Sequence, residues 1–366
     1  MPDKAINIIE EASSLINIDL HYKKNNIDKF KNTNKFSNYV TEKEVIKILS
    51  EKTGISAENI VENNYEKFIR IEKDLKKRMI GQDKAVFKIL NVVKRNFLGL
   101  SNKNKPIGSF LFLGPNGVGK TKICKILSDI IFNKNTDLIY IDMSEFNDKV
   151  YSFDVLQYNK NNLEYRFNTC LIKLVEKNPN SLILINEIEK SHIDFFKILL
   201  RLLKYGELID SFGRKINFKN TIIVMNSNIG LDIFQKNYNS SRNISYAKKT
   251  VIDMVYHYFN FNLINEIDDI VFFKPLDNIS LEKIIYKNIN LFKNKLEKKG
   301  YLFEITSSVI SYIRKLGFNP SYGANNFKKI IEKKIINPIS DEIMCKNFNI
   351  GHNIFVDIKF NKIEIK

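Results

Sequence analysis

The chain has 366 residues and a net charge of +17, from 58 Lys and Arg against 41 Asp and Glu. Apolar residues make up 44% of the chain, which excludes a disordered protein. The scarcity of glycine (14) and proline (7) excludes collagen-like proteins and proteins that consist of Pro/Gly-rich linker sequence. No apolar run approaches the roughly 18 residues that a membrane span needs, so we expect no membrane partner. The three cysteines are dispersed, which argues against a disulfide framework or a zinc site.

The basic charge has two interpretations. A basic face with aromatic side chains would indicate binding to nucleic acid. An A+T-rich coding sequence enriches Lys and Asn without any such role, and here the lysines are spread along the whole chain. We favour the second interpretation and expect no nucleic-acid partner.

The first predicted elements are helices separated by a polar stretch. Residues 4–18 have apolar positions at helical spacing, whereas residues 21–39 are rich in Lys and Asn and are interpreted as a linker. Thr41 followed by Glu44 predicts a capping box that starts the next helix.

From Phe110 onward, short apolar runs alternate with helical stretches. The runs are SFLFL, LIYIDM, SLILINE and NTIIVMNSN. This alternation predicts an α/β fold in which helices cover both faces of a parallel sheet. The helix after SLILINE is predicted to start at Ser191, three residues before Asp194, and to end at Gly206. After Pro275 the pattern is helical, and the closing stretch NIFVDIKFNKIEI predicts a hairpin.

One octapeptide carries recognisable chemistry. It lies between the strand SFLFL and a helix that is predicted to start near Lys122, and it fits the phosphate-binding pattern G-x-x-x-x-G-K-[ST]. In this pattern the backbone N–H groups surround phosphate oxygens, the lysine reaches the β- and γ-phosphates and the hydroxyl binds Mg²⁺. The sequence therefore predicts a nucleoside triphosphate site, with a decayed, empty loop as the alternative. The residues are Gly114, Pro115, Asn116, Gly117, Val118, Gly119, Lys120 and Thr121.

Two other strands end in polar residues that such a site needs. The run SLILI is followed by Asn186 and Glu187, and Glu187 is the candidate for orienting and deprotonating the attacking water. The alternative is that Glu187 is a surface glutamate at the start of a helix. The run TIIVM is followed by polar residues that include Asn228, whose amide is a candidate for contacting the γ-phosphate or the attacking water.

Several longer segments resemble a known family. The segments are LKKRMIGQDKAV, GSFLFLGPNGVGKT, IDMSEF, NEIEKSH, GELIDSFGRKINFKNTIIVMNSNIG and GFNPSYGA. In this order they are similar to the second ATPase module of the Clp/heat-shock AAA+ unfoldases of the ClpB and ClpC type. The resemblance covers about residues 40–366. It implies an α/β P-loop AAA+ module, followed by a small, mainly helical C-terminal subdomain that ends in a hairpin, with ATP between the two.

The resemblance also divides the chain. Residues 1–20 would be a remnant of the small subdomain of a preceding AAA+ module, and residues 21–39 a polar linker. Residues 40–275 would form the large nucleotide-binding subdomain with its helical lead-in, and residues 276–366 the small subdomain. The chain would then be a fragment, a split gene product or a shortened homologue.

Matched positions imply where the nucleotide lies. The residues that would contact ATP are those of the octapeptide, together with Ile80 and Gly81 at the adenine and Ala324 in the second-sensor motif. The Mg²⁺ would be held by Thr121 and Asn186.

The catalytic positions match the family only in part. Glu187 would be the catalytic carboxylate and Asn228 the first sensor. The family has Asp-Glu where this chain has Asn186 before Glu187, and an amide keeps an acceptor oxygen but loses the charge. Glu266 stands where the family carries its arginine finger, and Asn325 stands where it carries the second-sensor arginine.

Two loops also differ from the family. The pore loop Gly-Tyr-Val-Gly is matched here by Asn161–Glu164, and the flanking Tyr158 and Tyr165 are candidates to replace its tyrosine. Residues 230–246 contain no hydrophobic Leu-Gly-Phe-type tripeptide, so the sequence does not support docking to a Clp protease.

These observations predict an ATP-binding Clp-type chaperone subunit for protein unfolding or remodelling, with impaired hydrolysis of its own. Its partners would be client proteins and other AAA+ Clp subunits in a homo- or hetero-oligomeric, hexameric ring. The alternatives are a non-hydrolysing structural subunit of a mixed ring and, less favoured, a nucleic-acid-stimulated P-loop ATPase. The composition and the absence of a signal or transit peptide after Met1 indicate a plastid-encoded, stromal protein of the ClpC type, or otherwise a cytoplasmic one.

Overall fold

The structure is a computed structural model. It describes residues 5–15, 40–53, 64–132, 138–146, 163–210, 212–230, 233, 241–317, 324–345, 348, 351–359 and 362–365. Within these ranges, no helix is both long and apolar enough to cross a bilayer.

Helices and strands alternate along the larger, N-terminal part of the described chain. Helix α1 spans residues 5–15. It is followed by α2 (Glu42–Thr53), α3 (Asn64–Arg78), α4 (Asp83–Phe97), β1 (Gly108–Leu113), α5 (Lys120–Ile131), β2 (Ile139–Asp142), α6 (Leu163–Lys177), β3 (Leu182–Asn186), α7 (Ile193–Tyr205), β4 (Glu207–Ile209), β5 (Lys215–Asn217), β6 (Ile222–Ser227), α8 (Ser241–Tyr258), α9 (Phe261–Glu266) and β7 (Asp269–Phe272).

The C-terminal part is mainly helical. It contains α10 (Asn278–Glu297), β8 (Leu302–Ile305), α11 (Ser307–Gly317), α12 (Asn325–Ile331), a π-helical turn (Glu332–Ile336), α13 (Asn337–Met344), β9 (Asn353–Lys359) and β10 (Lys362–Ile365).

Five strands form one parallel sheet in the order β2-β3-β6-β1-β7. This arrangement confirms the predicted α/β fold. Because the strands are parallel, their carboxyl ends lie at the same edge of the sheet. The register pairs Leu113 with Ser227 and Asp142 with Asn186, so the residues that follow these strands start from neighbouring positions.

The central strands are buried on both faces of the sheet. In β1, Phe110 and Phe112 pack into a core with α3, α4 and α5. Leu111 and Leu113 point to the opposite face and pack into a core with α6, α7 and α8. Since successive side chains of a strand alternate between faces, a strand covered on both sides needs an unbroken apolar run such as SFLFL.

The C-terminal elements enclose a core of their own. Ile285 of α10, Phe303 of β8, Ile313 of α11 and Val356 of β9 all contribute to it. Strand β9 pairs in parallel with β8 and antiparallel with β10, so the predicted terminal hairpin is confirmed. The boundaries of the four predicted segments stay a prediction.

The last long helical pattern is interrupted, which its periodicity does not predict. The π-helical turn Glu332–Ile336 separates α12 from α13, and Pro338 lies in the first turn of α13. A proline ring crowds the carbonyl group four residues earlier and has no N–H to offer it. The wider π-helical turn accommodates this break without ending the helical path.

The start of α7 differs from the prediction by one residue. His192 is the N-cap, and its Nδ1 accepts a hydrogen bond from the Asp194 N–H at 3.4 Å. The hydroxyl of Ser191 instead donates to the carbonyl of Ile188 and closes the preceding 3-10 turn (Ile188–Lys190). The predicted end is confirmed, because Gly206 adopts a left-handed φ of 61°.

The N-terminal predictions are described only in part. Helix α1 covers residues 5–15 of the predicted 4–18. At the start of α2, the backbone N–H of Thr41 donates to the Glu44 carboxylate at 2.9 Å, which confirms one of the two bonds of a capping box. The predicted linker at residues 21–39 lies outside the described residues.

The glycine that ends α7 provides a test of the packing. Gly206 and Gly99 both have a positive φ, but a Cβ on Gly206 would lie 2.5 Å from the carbonyl oxygen of Asn104, whereas nothing lies within 4 Å at Gly99. We expect Gly99→Ala to lower the free energy of unfolding by about 1 kcal/mol and Gly206→Ala to lower it by about 2–4 kcal/mol. Urea denaturation of both variants measures the difference. Equal losses would show that Asn104 does not confine this turn.

Candidate functional site

The octapeptide forms the turn between β1 and α5. Gly114, Gly117 and Gly119 have φ values of 140°, 72° and 110°, a region that residues with a side chain rarely adopt. A Cβ on Gly114 would also lie 2.5 Å from the carbonyl oxygen of Phe273. Helix α5 starts at Lys120, two residues earlier than predicted, so its first N–H groups border the turn. The backbone therefore has the form that a phosphate-binding loop requires.

The remaining loop residues differ in exposure. Pro115 and Val118 are buried and anchor the loop to the domain, whereas Asn116 is exposed. Thr121 is half-buried in the first turn of α5. This is the position at which the pattern places a hydroxyl ligand for Mg²⁺.

Lys120 is the buried cation of the site, with only 8% of its surface exposed. Its ammonium donates hydrogen bonds to the carbonyl of Gly114 and, at 3.2 Å, to Oδ1 of Asn228. Burial lowers the pKa of Lys120 to about 8, against the opposing attraction of Glu189 and Glu187. Because both hydrogen-bond partners are neutral oxygens, an anion beside the ammonium would offset its desolvation.

The carboxyl ends of β2, β3 and β6 carry a row of linked polar side chains. The amide of Asn186 donates to Asp142 at 3.2 Å, and the amide of Asn226 donates to Oδ1 of Asn186 at 3.4 Å. Asp142 also accepts hydrogen bonds from Ser144 and Tyr140. Burial raises the pKa of Asp142, but the hydrogen bonds from Ser144, Asn186 and Tyr140 outweigh it and hold the pKa below its ordinary value. Asn186 thus has a carboxylate beside it.

Glu187 directly follows β3 in a strained backbone conformation. Its φ is 54°, and it is the one non-glycine residue with a positive φ in the described part of the chain. Such a conformation costs about 1–3 kcal/mol and is found preferentially at functional sites. Its carboxylate forms an ion pair with Lys190 at 2.5 Å, and it lies close enough to Lys120 to raise that residue's pKa.

Asn228 is fixed from two sides. Its Oδ1 accepts the hydrogen bond from Lys120, and its backbone N–H donates to the carboxylate of Glu189 at 3.1 Å. The hydroxyl of Tyr258 in α8 donates to the backbone carbonyl of Glu189. Glu189 and Tyr258 therefore support the predicted sensor residue.

The predicted adenine segment lies between the loop and α10. A Cβ on Gly119 would lie 2.5 Å from the methyl carbon of Met79, the residue before Ile80. A Cβ on Gly81 would lie 2.5 Å from the hydroxyl oxygen of Ser280 in α10. Ile80 and Gly81 are thus placed beside the phosphate-binding loop and the first turn of the C-terminal part.

Gln82 ties three segments of the site together. It is 2% exposed, and its amide donates to the carbonyl of Lys274 at 2.7 Å and to that of Val118 at 3.3 Å. Its side-chain oxygen accepts from the Lys274 N–H at 3.2 Å. Gln82 therefore joins the start of α4, the phosphate-binding loop and the segment that leads to α10.

Ala324 brings the C-terminal part to the loop. Its backbone N–H donates to the carbonyl of Gly117 at 3.0 Å. This contact places the start of α12 against the glycine-rich turn, and the role of Ala324 in binding ATP stays a prediction.

Two family models match this arrangement. The family model described as "AAA domain (Cdc48 subfamily)" matches residues 105–270, which hold the phosphate-binding loop and strands β1 to β6. The description "C-terminal, D2-small domain, of ClpB protein" fits residues 276–356, which hold the helical part. The chain belongs to the Clp-type AAA+ family. Within that family it corresponds to the second ATPase module of the ClpB type.

Full-length relatives agree with this assignment. The chain is 40% identical over 327 residues to "Chaperone protein ClpB" of Blochmanniella floridana, covering 89% of this chain and 37% of that protein. It is 38% identical over 308 residues to the protein of the same name from Vibrio vulnificus (strain YJ016), covering 84% and 36%. It is 36% identical over 324 residues to "Chaperone protein ClpB3, mitochondrial" of Oryza sativa subsp. japonica, covering 87% and 33%. The chain thus spans about a third of the length of these relatives.

Glu266, one of the residues that depart from the family pattern, has an ion-pair partner in the structure. Glu266, at the position matched to the family's arginine finger, ends α9. Its carboxylate accepts a hydrogen bond from Lys105 at 2.6 Å. The acid therefore already has a cation of its own chain beside it.

Several residues of the site are not marked by the sequence pattern, and some predicted ones are not described. Asp142 and Gln82 lie inside the quoted segments IDMSEF and LKKRMIGQDKAV, but only the strand register and the tertiary contacts reveal their roles. Asn161, Asn162 and Tyr158 lie outside the described residues, as does most of the predicted protease-loop stretch 230–246. Of Leu163, Glu164 and Tyr165 the backbone is described, at the start of α6, and the same holds for Asn325 in α12.

Gln82 can be tested by a pair of variants. We expect Gln82→Ala to lower the free energy of unfolding by about 2–4 kcal/mol, because it removes three hydrogen bonds and leaves the buried carbonyl of Val118 without a partner. Gln82→Glu keeps the size and the acceptor but loses the donor, and it should be at least as destabilising because a carboxylate then faces two carbonyl oxygens. Chemical denaturation of both variants measures the loss. An unchanged midpoint would show that Gln82 does not hold these segments together.

Proposed function

We propose that the chain is an ATP- and Mg²⁺-binding subunit of a Clp-type chaperone ring that acts in protein unfolding or remodelling, with slow hydrolysis of its own. The observation that carries the proposal is Lys120, a buried ammonium at the end of a glycine-rich loop, where α5 begins, hydrogen-bonded to Asn228. The chaperone relatives support the part that concerns client proteins and ring partners. Because the chain spans about a third of their length, that part rests on the resemblance.

The residues present fit a nucleoside triphosphate. The positive φ values of Gly114, Gly117 and Gly119 give the loop a conformation in which its N–H groups can face phosphate oxygens. Lys120 would contact the β- and γ-phosphates, and the N–H groups at the start of α5 would donate to the others. Ile80 and Gly81 would border the adenine, and Ala324 would approach from the C-terminal part.

A bound Mg²⁺ would neutralise charge between the β- and γ-phosphates. Thr121 and Asn186 are the residues that would hold it, directly or through water. Mg²⁺ commonly keeps several water ligands in proteins, so one hydroxyl and one amide make a sufficient protein contribution.

The water-activating groups are retained in this chain. Glu187 lies close enough to Lys120 to act on that residue's charge, and in the proposed role its carboxylate orients and deprotonates the attacking water. Asn228 is fixed by Lys120 and Glu189, and its amide would hold the water or the γ-phosphate in line.

The slow turnover is supported by two departures. Asn186 offers an amide where the family has a carboxylate, which reduces the negative charge available to the metal and its water. Glu266 is paired with Lys105 and presents an acid where the family has a cation. An arginine supplied to a phosphoryl-transfer site contributes about 10³–10⁵ in rate. In a mixed ring, a related subunit would supply the missing cation.

A second candidate function is a nucleotide-binding subunit with no turnover, and the same two departures favour it. Only a measurement of turnover separates the two candidates. The plastid location rests on the composition and the family resemblance, and the relatives reported above include bacterial and mitochondrial proteins. Docking to a Clp protease has no support in the sequence.

The binding proposal is tested with a lysine pair on α5. We expect Lys120→Ala to weaken ATP binding about 10- to 100-fold, because charge-assisted hydrogen bonds to phosphate contribute about 1.5–3 kcal/mol. Lys125→Ala removes the same charge from the exposed face of the helix and serves as the control. Isothermal titration with ATP and Mg²⁺ measures both. If the two variants bind alike, the loop does not hold phosphate, and if the unmodified chain binds no ATP the proposed function fails.

The hydrolysis proposal is tested at Glu266. We expect the unmodified chain to turn over ATP at a rate within about threefold of Glu187→Gln, and Glu266→Arg to raise that rate at least about tenfold. Glu266→Gln removes the acid without adding a cation and is the matched control. Steady-state phosphate release measures all four proteins. Fast turnover of the unmodified chain that Glu187→Gln abolishes would instead identify a working motor ATPase.

A further inference from the structure

Three parallel strand ends form a continuous row of hydrogen bonds beside the site. Asp142 and Asn186 are direct partners in the β2–β3 register, and their side chains are joined at 3.2 Å. Asn186 and Asn226 are joined at 3.4 Å across β3 and β6. The row therefore starts at a carboxylate and runs through two amides towards β1, whose carboxyl end leads into the phosphate-binding loop.

The middle amide of this row has a defined direction. Asn186 directs its N–H group to the carboxylate of Asp142 and its carbonyl oxygen to the side of β6. An amide that donates to a carboxylate is polarised, and its oxygen becomes a stronger acceptor. The carboxylate of Asp142 thus makes the Asn186 oxygen a stronger acceptor, and this oxygen faces β6, the strand next to β1.

The end of the row is chemically incomplete. Oδ1 of Asn226 is buried in a side chain that is 3% exposed, and it has no hydrogen-bond partner in the described part of the chain. An unpaired buried acceptor costs about 1–3 kcal/mol. A ligand that brings hydrogen-bond donors, such as the water shell of a cation, would satisfy it.

We propose that Asp142, acting through the amide of Asn186, supplies the negative charge that holds a hydrated divalent cation at Thr121. The proposal rests on the proposed nucleotide binding and assigns Asp142 as a positioning residue for the metal. Asp142 lies one strand from Asn186. Mg²⁺ keeps several of its waters in protein sites, so this carboxylate can act on the cation through the amide of Asn186 and those waters. Asp142 then compensates in part for the carboxylate that this chain lacks at position 186.

A purely structural role for Asp142 is the competing explanation. Asp142 accepts from the backbone N–H of Ser144 at 3.0 Å and from its hydroxyl at 2.6 Å, and these bonds shape the 3-10 turn Met143–Phe146. In Asp142→Asn the remaining carbonyl oxygen can still accept these bonds. The two roles therefore differ in their metal dependence.

The test measures how much Mg²⁺ a fluorescent ATP analogue needs for half-maximal binding to the full chain. For Asp142→Asn we expect this Mg²⁺ concentration to rise about tenfold or more, as is usual when a residue supporting a metal ligand is removed. Binding of the analogue in EDTA should stay unchanged. Glu145→Gln is the matched control, because it removes one charge from the exposed side of the same turn.

A double variant that exchanges the side chains at positions 142 and 186 makes this test more specific. The double variant Asp142→Asn with Asn186→Asp restores one carboxylate and one amide in exchanged positions. We expect it to bring the half-saturating Mg²⁺ concentration back to within about threefold of the unmodified chain. Titration with Mn²⁺, monitored by electron paramagnetic resonance of the free ion, gives a second measurement of cation affinity that does not depend on hydrolysis.

The possible failures are distinguishable. If Asp142→Asn and Glu145→Gln need the same Mg²⁺ concentration as the unmodified chain, the role of Asp142 is overturned and nucleotide binding stands. A loss of binding in EDTA as well as in Mg²⁺ identifies a structural role and also overturns it. If the unmodified chain does not bind the analogue at all, the proposed function itself fails.

Discussion

The parallel register of β2, β3, β6 and β1 is the constraint on which the site depends. Parallel strands end at one edge of their sheet, so residues that are far apart in the chain meet there. The pairing of Leu113 with Ser227 and of Asp142 with Asn186 fixes where each loop begins. A shift of one residue in any strand would turn its buried side chains to the opposite face, and both cores oppose such a shift.

The electrostatics of this edge combine one buried cation with acids held at a short distance. Lys120 donates to two neutral oxygens, and burial lowers its pKa against the opposing attraction of Glu189 and Glu187. Asn228 connects Lys120 with Glu189, because its Oδ1 accepts from Lys120 and its backbone N–H donates to the Glu189 carboxylate. The arrangement is suited to receive an anion together with a divalent cation. These charges support the binding of a nucleotide with its cation more directly than they support rapid hydrolysis of that nucleotide.

The site is also the place where the two parts of the chain meet. The Ala324 N–H reaches the carbonyl of Gly117, Gly81 packs against Ser280, and Gln82 binds the segment that leads to α10. A nucleotide in the loop would contact elements of both parts. Binding there would therefore be coupled to the relative position of the helical part, which gives a physical basis for a nucleotide-dependent ring subunit.

The sequence by itself determined four of the five strands of the parallel sheet, the phosphate-binding loop and the positions of Lys120, Glu187 and Asn228. Strand β7 was not predicted. These features depend on local patterns: apolar runs of strand length, glycines at tight turns and a polar residue where a strand stops. Helix ends were predictable only to within one or two residues, because neighbouring residues can compete for the capping position, as His192 and Ser191 do.

Only the tertiary structure decided which residues surround these groups. Asp142 beside Asn186, Gln82 between two carbonyls and Lys105 beside Glu266 are contacts across 44, 192 and 161 positions of the chain. No periodicity or motif specifies such pairs, because they result from strand order and helix packing. The physical reason is that a local sequence motif identifies a candidate residue, whereas the charges and hydrogen-bond partners around that residue depend on the whole fold.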